Sequence, residues 1–442
     1  MSDGAGVGYL ELLGRNRDFR RLWLGQVVSQ LGDWFDTVAV YTLVLGLTGS
    51  GRAVGLVLVT RFLPTIFLGP LAGVLADRYS RRTIMIASDL ARAFVVLGFL
   101  LVRRPEQLWI VYALTLLQLA LSTFFEPAKS AAIPSIVTGR ALITANAISS
   151  VTWSVMLTLG AAVGGEVAGR FGTDAAFVLD SLTYLASAAL IFGVRLPRRP
   201  PRPKTKLTLR KALGVTDTVE GARYVRARPH VLAFLLVKPA WGLGGGILTL
   251  LTVFGDVVFP IGQNAARGMG VLYAVRGVGT AVGPVLARRV AGDGPRAMRL
   301  AIGFSFIVGG LFYIGFGVAT NFALALLLLG IAHAGGSTLW VYSTTLLQRA
   351  VEDDFRGRVF AAELALITFT LALSNYATGE ALDRFRYSPR TVAVAIGVIF
   401  ILPGLVWFAA ARWWYGDDAA RRHARDETDA PAAPADAAPP GD

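Results

Sequence analysis

Asp33 and Asp36 stand three residues apart in QLGDWFDT, inside an otherwise apolar run. On a helix that spacing puts both carboxylates on one face. An ionisable side chain at the centre of a bilayer costs about 2.5–3.5 kcal/mol on insertion scales, so each calls for a reason. Two carboxylates sharing a face away from water resist ionising together, which is the property a proton-coupling site needs. The same residues serve equally as polar contacts to a neighbouring helix. Arg61, in TRFLP of the next apolar run, is placed either to neutralise Asp33 or Asp36 or to brace its helix against another span. His333 in GIAHAGGS and Glu363 in AAELA are further candidate proton carriers, because imidazole changes charge between pH 5 and 8 and a carboxylate titrates when its surroundings change. A lone His inside a bundle is also simply hydrogen-bonded. Trp34, between the two acids, reads as packing.

Other charges in apolar runs read as structural. Asp89 and Arg92 are three apart near one end of the third run and are expected to form a structural charge cluster with the basic loop at 77–82, on a rim that Glu126 and Lys129 share at the same membrane face. Glu166 and Asp180 fall toward the opposite face, where they serve as outer-gate groups or are simply solvated by interfacial water; Glu380 lies near the same face and is a weaker coupling candidate than Glu363. Lys238 is expected either to snorkel to the headgroups or, beside Pro239, Trp241 and the run GLGGG at 242–246, to mark a flexible bend. There is no cysteine, and the three His form no pair at metal-ligand spacing, so no metal or cofactor site is expected. The chain has no GxxxxGK[ST], GxSxG or HExxH pattern, which argues against ATP-driven transport by this chain and against hydrolytic chemistry.

These residues sit in a chain built for lipid. Of 442 residues, 54% are hydrophobic and 16% charged, with mean hydropathy +0.56. A soluble domain carries about 25% charged residues, so a bilayer is the expected solvent. Apolar runs at 21–48, 52–76, 83–102, 107–126, 144–169, 174–194, 231–254, 267–287, 298–318, 321–347, 358–380 and 390–412 give twelve spans. The fold class is therefore an all-α polytopic membrane protein. The net charge of +14 is explained by Lys and Arg in cytoplasmic loops rather than by nucleic acid. With the N-terminus inside, the inner loops and tail hold about 31 of the 43 Lys and Arg and the outer loops about 8, so both termini are expected in the cytoplasm. No signal peptide is read; the first span itself targets the chain to the cell membrane.

The longest hydrophilic stretch, 196–229, divides six spans from six. The expected organisation is an N-terminal bundle at 1–195, a central cytoplasmic loop, a C-terminal bundle at 230–412 and a disordered Ala/Pro/Asp-rich tail at 413–442. A weak internal repeat supports the division. In the second span Arg61 precedes Gly69-Pro70 by eight residues, and in the eighth Arg276 precedes Gly283-Pro284 by seven.

The sequence GPLAGVLADRYSRR at 69–82 resembles the signature between helices 2 and 3 of the major facilitator superfamily: Gly69 and Gly73 share one helix face, Asp77-Arg78 end the helix, and Arg81-Arg82 follow. SDLARA (88–93), FFEPAKSAAIPSIV (124–137), LDSLTYLASA (179–188) and EDDFRGRVFA (352–361) resemble its macrolide and enterobactin exporter branch, with Lys129 where an Arg is usual. The resemblance covers nearly all of 10–412. It implies the two-bundle major facilitator fold and a secondary active transporter, not an enzyme, rocking about a central site. The expected activity is proton-coupled export of small amphiphilic drugs, siderophores or metabolites by a monomer. The alternatives are lipid or lysolipid movement between leaflets, and a transport-dead sensor. It also implies a conformational latch in which Asp77 faces the N-terminus of helix 11, where Arg356 and Arg358 are available partners.

Overall fold

The structure, a computed structural model, describes residues 8–137, 141–197, 221, 223–261, 265–292 and 294–428; within helices, the side chains of Gly73, Asp77, Arg78, Asp353, Asp354 and residues 411–428 are among those outside the description. The central loop expected at 196–229 lies largely outside the described residues, as does the tail from 429.

A short helix α1 (Tyr9–Arg15) precedes α2 (Arg17–Thr48), α3 (Gly51–Arg78), α4 (Arg81–Leu97), α5 (Leu108–Ile136) and α6 (Ala141–Phe192). After the central loop come α7 (Pro229–Gly242), α8 (Ile247–Val253), α9 (Ala265–Ala291), α10 (Pro295–Val318), α11 (Phe322–Ala350), α12 (Asp353–Asp383) and α13 (Pro389–Thr428). Ten stretches among the described residues are long and apolar enough to cross a bilayer. Two more crossings follow from the geometry. The stretch Thr144–Phe192 is 49 residues long and turns at Gly172, whose φ of +84° is open to glycine. Helix α2 spans 32 residues, with Asp33 and Asp36 diluting its hydropathy. The result is consistent with twelve crossings, six on either side of the central loop.

Local sequence sets the helix ends. Asn16 accepts the Phe19 N–H at 2.9 Å to start α2, and Ser50 accepts the Ala53 N–H at 3.0 Å to start α3. Between them Gly49, at φ +61°, ends α2 in the left-handed conformation. The seventh crossing is broken: α7 ends at Gly242 and α8 begins at Ile247, with turns through the glycine run. Its close neighbours explain the glycines, since a Cβ on Gly245 would lie 2.5 Å from Leu371 and one on Gly244 2.5 Å from Phe400. The last helix continues to Thr428, well past the boundary expected at 412.

The two halves meet along two seams, α3 against α12 and α6 against α9. Both are tight because small residues face each other. A Cβ on Gly55 would stand 2.7 Å from the Asn375 carbonyl oxygen, and one on Gly165 2.7 Å from that of Ala266 and 2.9 Å from the Gly270 Cα. Such backbone-to-backbone approach favours association in lipid, where the hydrophobic effect gives no drive between helices.

Candidate functional site

Between the halves lies a cavity of about 740 Å³. Its first-half wall descends α2 from Tyr41 through Asp33 to Gln26 and includes Glu126, Lys129 and Asn146 at the end of the molecule that carries the basic 2–3 loop. The second half supplies Leu248, Tyr273 and Arg276. Tyr273 meets Tyr41 and Trp34 across the interface, with ring centroids 6.4 and 5.9 Å apart. Trp34 is thus both packing and cavity wall.

Asp33 is the more open of the two helix acids, its side chain 39% exposed. It accepts the Tyr184 hydroxyl at 2.5 Å and stands 3.5 Å from Arg92. Asp36 is buried, with Arg61 Nη1 3.7 Å away and Oδ1 without a hydrogen-bond partner. Arg61 also donates to the Thr37 hydroxyl at 3.1 Å. The sequence places these acids on one face; the fold gives them different guanidinium partners, Arg92 for Asp33 and Arg61 for Asp36.

Several expectations change in three dimensions. Asp89 and Arg92 do pair, but in the buried interior rather than on a basic rim with the 2–3 loop. Asp89 accepts from Ser187 at 2.7 Å, and the Arg92 guanidinium lies 4.3 Å from the Tyr184 ring centroid. The cause is helix phase, which turns this part of α4 toward α2 and α6. Glu126 and Lys129 pair separately at 2.8 Å in the cavity wall. Asp180 is fully buried instead of interfacial, because α6 presses its side chain and Thr183 against Gly32 of α2. Lys238 does not snorkel: it is buried and pairs with Glu363 at 2.7 Å. His333 is buried away from the cavity lining, its Nδ1 3.1 Å from the Leu329 carbonyl and its Nε2 3.4 Å from the Tyr313 hydroxyl. Charges that looked isolated in sequence find partners because an unpaired charge in a bundle is costly.

The expected latch residues are only partly described, since the side chains of Gly73, Asp77 and Arg78 lie outside the description. Gly69 has open space beside it. Arg81 donates to the Ala131 carbonyl and to Ser135 at 2.9 Å, within its own half. Arg82 lies over Phe192. Arg356 donates to the carbonyls of Gln348 and Val351 at 3.1 and 3.3 Å, and the Arg358 guanidinium lies 5.4 Å from the Phe355 ring centroid.

At the opposite end the halves are tied by Glu166 and Glu380, both placed at that face by the sequence, together with Arg52, Arg267 and Asp383, which sequence inspection passed over. Arg52 pairs with Glu380 at 2.9 Å, and Glu166 with Arg267 at 3.1 Å. Asp383 accepts from the Ser50 hydroxyl and from the backbone N–H groups of Gly51 and Arg52 at 3.1 and 2.9 Å. No local pattern announces Asp383, which stands among ordinary charged residues at a helix end. Arg276 did leave a trace, in the repeat that it forms with Arg61.

Two helical halves thus enclose a cavity and are tied by ion pairs at one end, the arrangement of a membrane transporter. The family model of the Major Facilitator Superfamily matches residues 22–362, and the chain belongs to that superfamily. It is 28% identical over 401 residues to the MFS-type transporter YfiS of Bacillus subtilis, covering 87% of this chain and 91% of the relative. It is 23% identical over 379 residues to macrolide efflux protein A of Streptococcus pyogenes, covering 83% and 89%. Among solved structures it is similar to a bacterial homologue of the human lysosomal transporter Spinster, with a TM-score of 0.72 at 17% identity, covering 91% of this chain and 98% of that one.

Proposed function

We propose that this protein is a proton-coupled secondary exporter of small amphiphilic molecules in a bacterial cell membrane. The observation that carries the reading is the cavity between the halves, lined toward the basic end by Glu126 and Lys129, with Asp33, Arg61 and Arg92 in its wall and inter-half ties at the other end of the molecule. The Lys and Arg distribution supports a cytoplasmic basic end with both termini on that side. The cavity then loads from inside the cell. Rocking of the halves about the Tyr41–Tyr273 contact delivers its contents outward. Similarity to a macrolide efflux protein supports the outward direction.

Asp36 is the proton site in this reading. It is enclosed, it faces one guanidinium at 3.7 Å, and it keeps an oxygen free for a proton. Arg61 holds the ionised form; protonation releases Arg61 to change partners. Asp33, with Tyr184 and Arg92, sets the charge of the wall beside it.

The test uses everted membrane vesicles and a fluorescent naphthyl amino acid, a small zwitterionic amphiphile. Wild type accumulates the compound when the vesicle interior is acid. Asp36→Asn, fixed in the neutral form, loses that accumulation and retains downhill exchange. Equal gradient-driven accumulation by both proteins rules out Asp36 as the coupling group and returns attention to Asp33.

A further inference from the structure

Three guanidinium groups reach the cavity, and their surroundings differ. Arg92 lies between Asp89 and Asp33, and Arg61 has Asp36 and Thr37. Arg276, on the opposite wall, has no carboxylate within ion-pair distance among the described residues. Its guanidinium lies 5.7 Å from the centroid of the Tyr273 ring, and its Nε is buried without a hydrogen-bond partner. Arg276 as a whole is half-buried in the cavity wall, and a partly desolvated cation is retained at a cost unless something neutralises it.

The arrangement around Arg276 is a shaped one. Tyr273 stacks obliquely toward Tyr41, and the Arg61 guanidinium lies 5.9 Å from the Tyr41 centroid. Two tyrosines from opposite halves are therefore flanked by two arginines from the equivalent spans of the sequence repeat. Trp34 adds a third ring beside Tyr273. The first-half arginine is already matched by acid; the second-half arginine is not.

We propose that Arg276 is the substrate-recognition group of the cavity and that the substrate carries an anionic group, a carboxylate or a phosphate, on an apolar or aromatic body. The guanidinium fork offers the anion paired N–H donors, and Trp34, Tyr41 and Tyr273 cover the body. Asp33, the open carboxylate of the facing wall, leaves room for a cationic or hydrogen-bonding end, so zwitterions fit as well as simple acids. Lipophilic cations do not fit Arg276. This inference rests on the exporter reading for the role of the cavity, and binding measured without transport separates the two.

The experiment uses the full chain purified in lipid nanodiscs, with a matched naphthyl series: a carboxylic acid, its phosphate analogue, its neutral amide and the corresponding amine. Equilibrium binding is followed by ligand fluorescence. Wild type is expected to bind the acid or the phosphate at least tenfold tighter than the amide, and the amine no better than the amide. Arg276→Gln brings the anion down to the affinity of the amide in the same variant, and Arg276→Lys recovers part of the preference. Size-exclusion profiles check that each variant remains folded. Equal binding of acid, phosphate and amide, binding of the amine alone, or an anion preference that survives in Arg276→Gln overturns the assignment. Failure of every anion in the series to bind overturns it too. Export of neutral or cationic compounds would leave the exporter reading standing without this one.

Discussion

Asp383 closes the N-terminus of α3 from across the interface: its carboxylate accepts the Arg52 backbone N–H at 2.9 Å, beside the Gly51 N–H at 3.1 Å and the Ser50 hydroxyl. The first N–H groups of a helix have no partner within it and carry a partial positive charge, so a carboxylate there is doubly favoured. The contact joins the C-terminal end of α12 to the start of α3. The latch implied by the family resemblance joins the other ends of the same two helices, Asp77 of α3 to the start of α12.

If both contacts act as proposed, they hold opposite states. Asp383→Asn is expected to weaken closure at the far end by about 1 kcal/mol, the scale of a helix-terminal charge contact. Asp77→Asn is expected to favour the state closed there, and to cut transport at near-normal protein level. The chain has no native cysteine, so spin labels on introduced cysteine pairs report only the chosen sites. Distance distributions across the far end should broaden with Asp383→Asn and narrow with Asp77→Asn. A shift in the same direction for both variants would remove the proposed opposition.

The Lys238–Glu363 pair is enclosed at 2.7 Å in the second half, with Lys238 Nζ also 4.8 Å from the Trp340 ring centroid. Removing one member leaves the other charge buried, at a cost of about 3–5 kcal/mol, whereas replacing both by apolar side chains is often neutral. Lys238→Met alone should lower the melting temperature in detergent, and adding Glu363→Leu should restore most of it. Retention of gradient-driven export by the double variant would mark the pair as structural. Loss of export in a thermally stable double variant would instead make Glu363 a coupling residue.

Gly165 and Gly270 bring α6 and α9 into backbone contact, and neither has space for a methyl group. Gly165→Ala and Gly270→Ala are therefore expected to push the halves apart at this seam. The readout is crosslinking yield between cysteines introduced on the two helices, which should fall severalfold relative to the parent while each half keeps its fold. An unchanged yield would mean that the seam relaxes without opening.

Membrane orientation is tested separately from these contacts. Reporter fusions after Thr205 and Asp417 should read cytoplasmic, and a fusion at Asn264 should read external, because Lys and Arg concentrate on one side. An external reading at Thr205 would exclude the proposed arrangement of six spans on each side of the central loop.

The sequence by itself determined the solvent, the division into spans and the superfamily. Hydropathy is a property of consecutive residues, and Gly69, Asp77 and Arg81 form a signature within one short segment. It also marked Asp33, Asp36 and Arg61, because a charge in an apolar run is conspicuous without any structure. Partnership was decided only by the tertiary fold. Whether Asp180 meets water or Gly32, whether Lys238 reaches a headgroup or Glu363, and whether Arg92 serves a loop or Asp33 depends on helix phase and on approach between residues far apart in the chain. Periodicity along one helix cannot specify which other helix lies against it. Asp383 shows the limit most plainly: an ordinary acid at a helix end, it gains its role from an N-terminus more than three hundred residues earlier, at 2.9 Å.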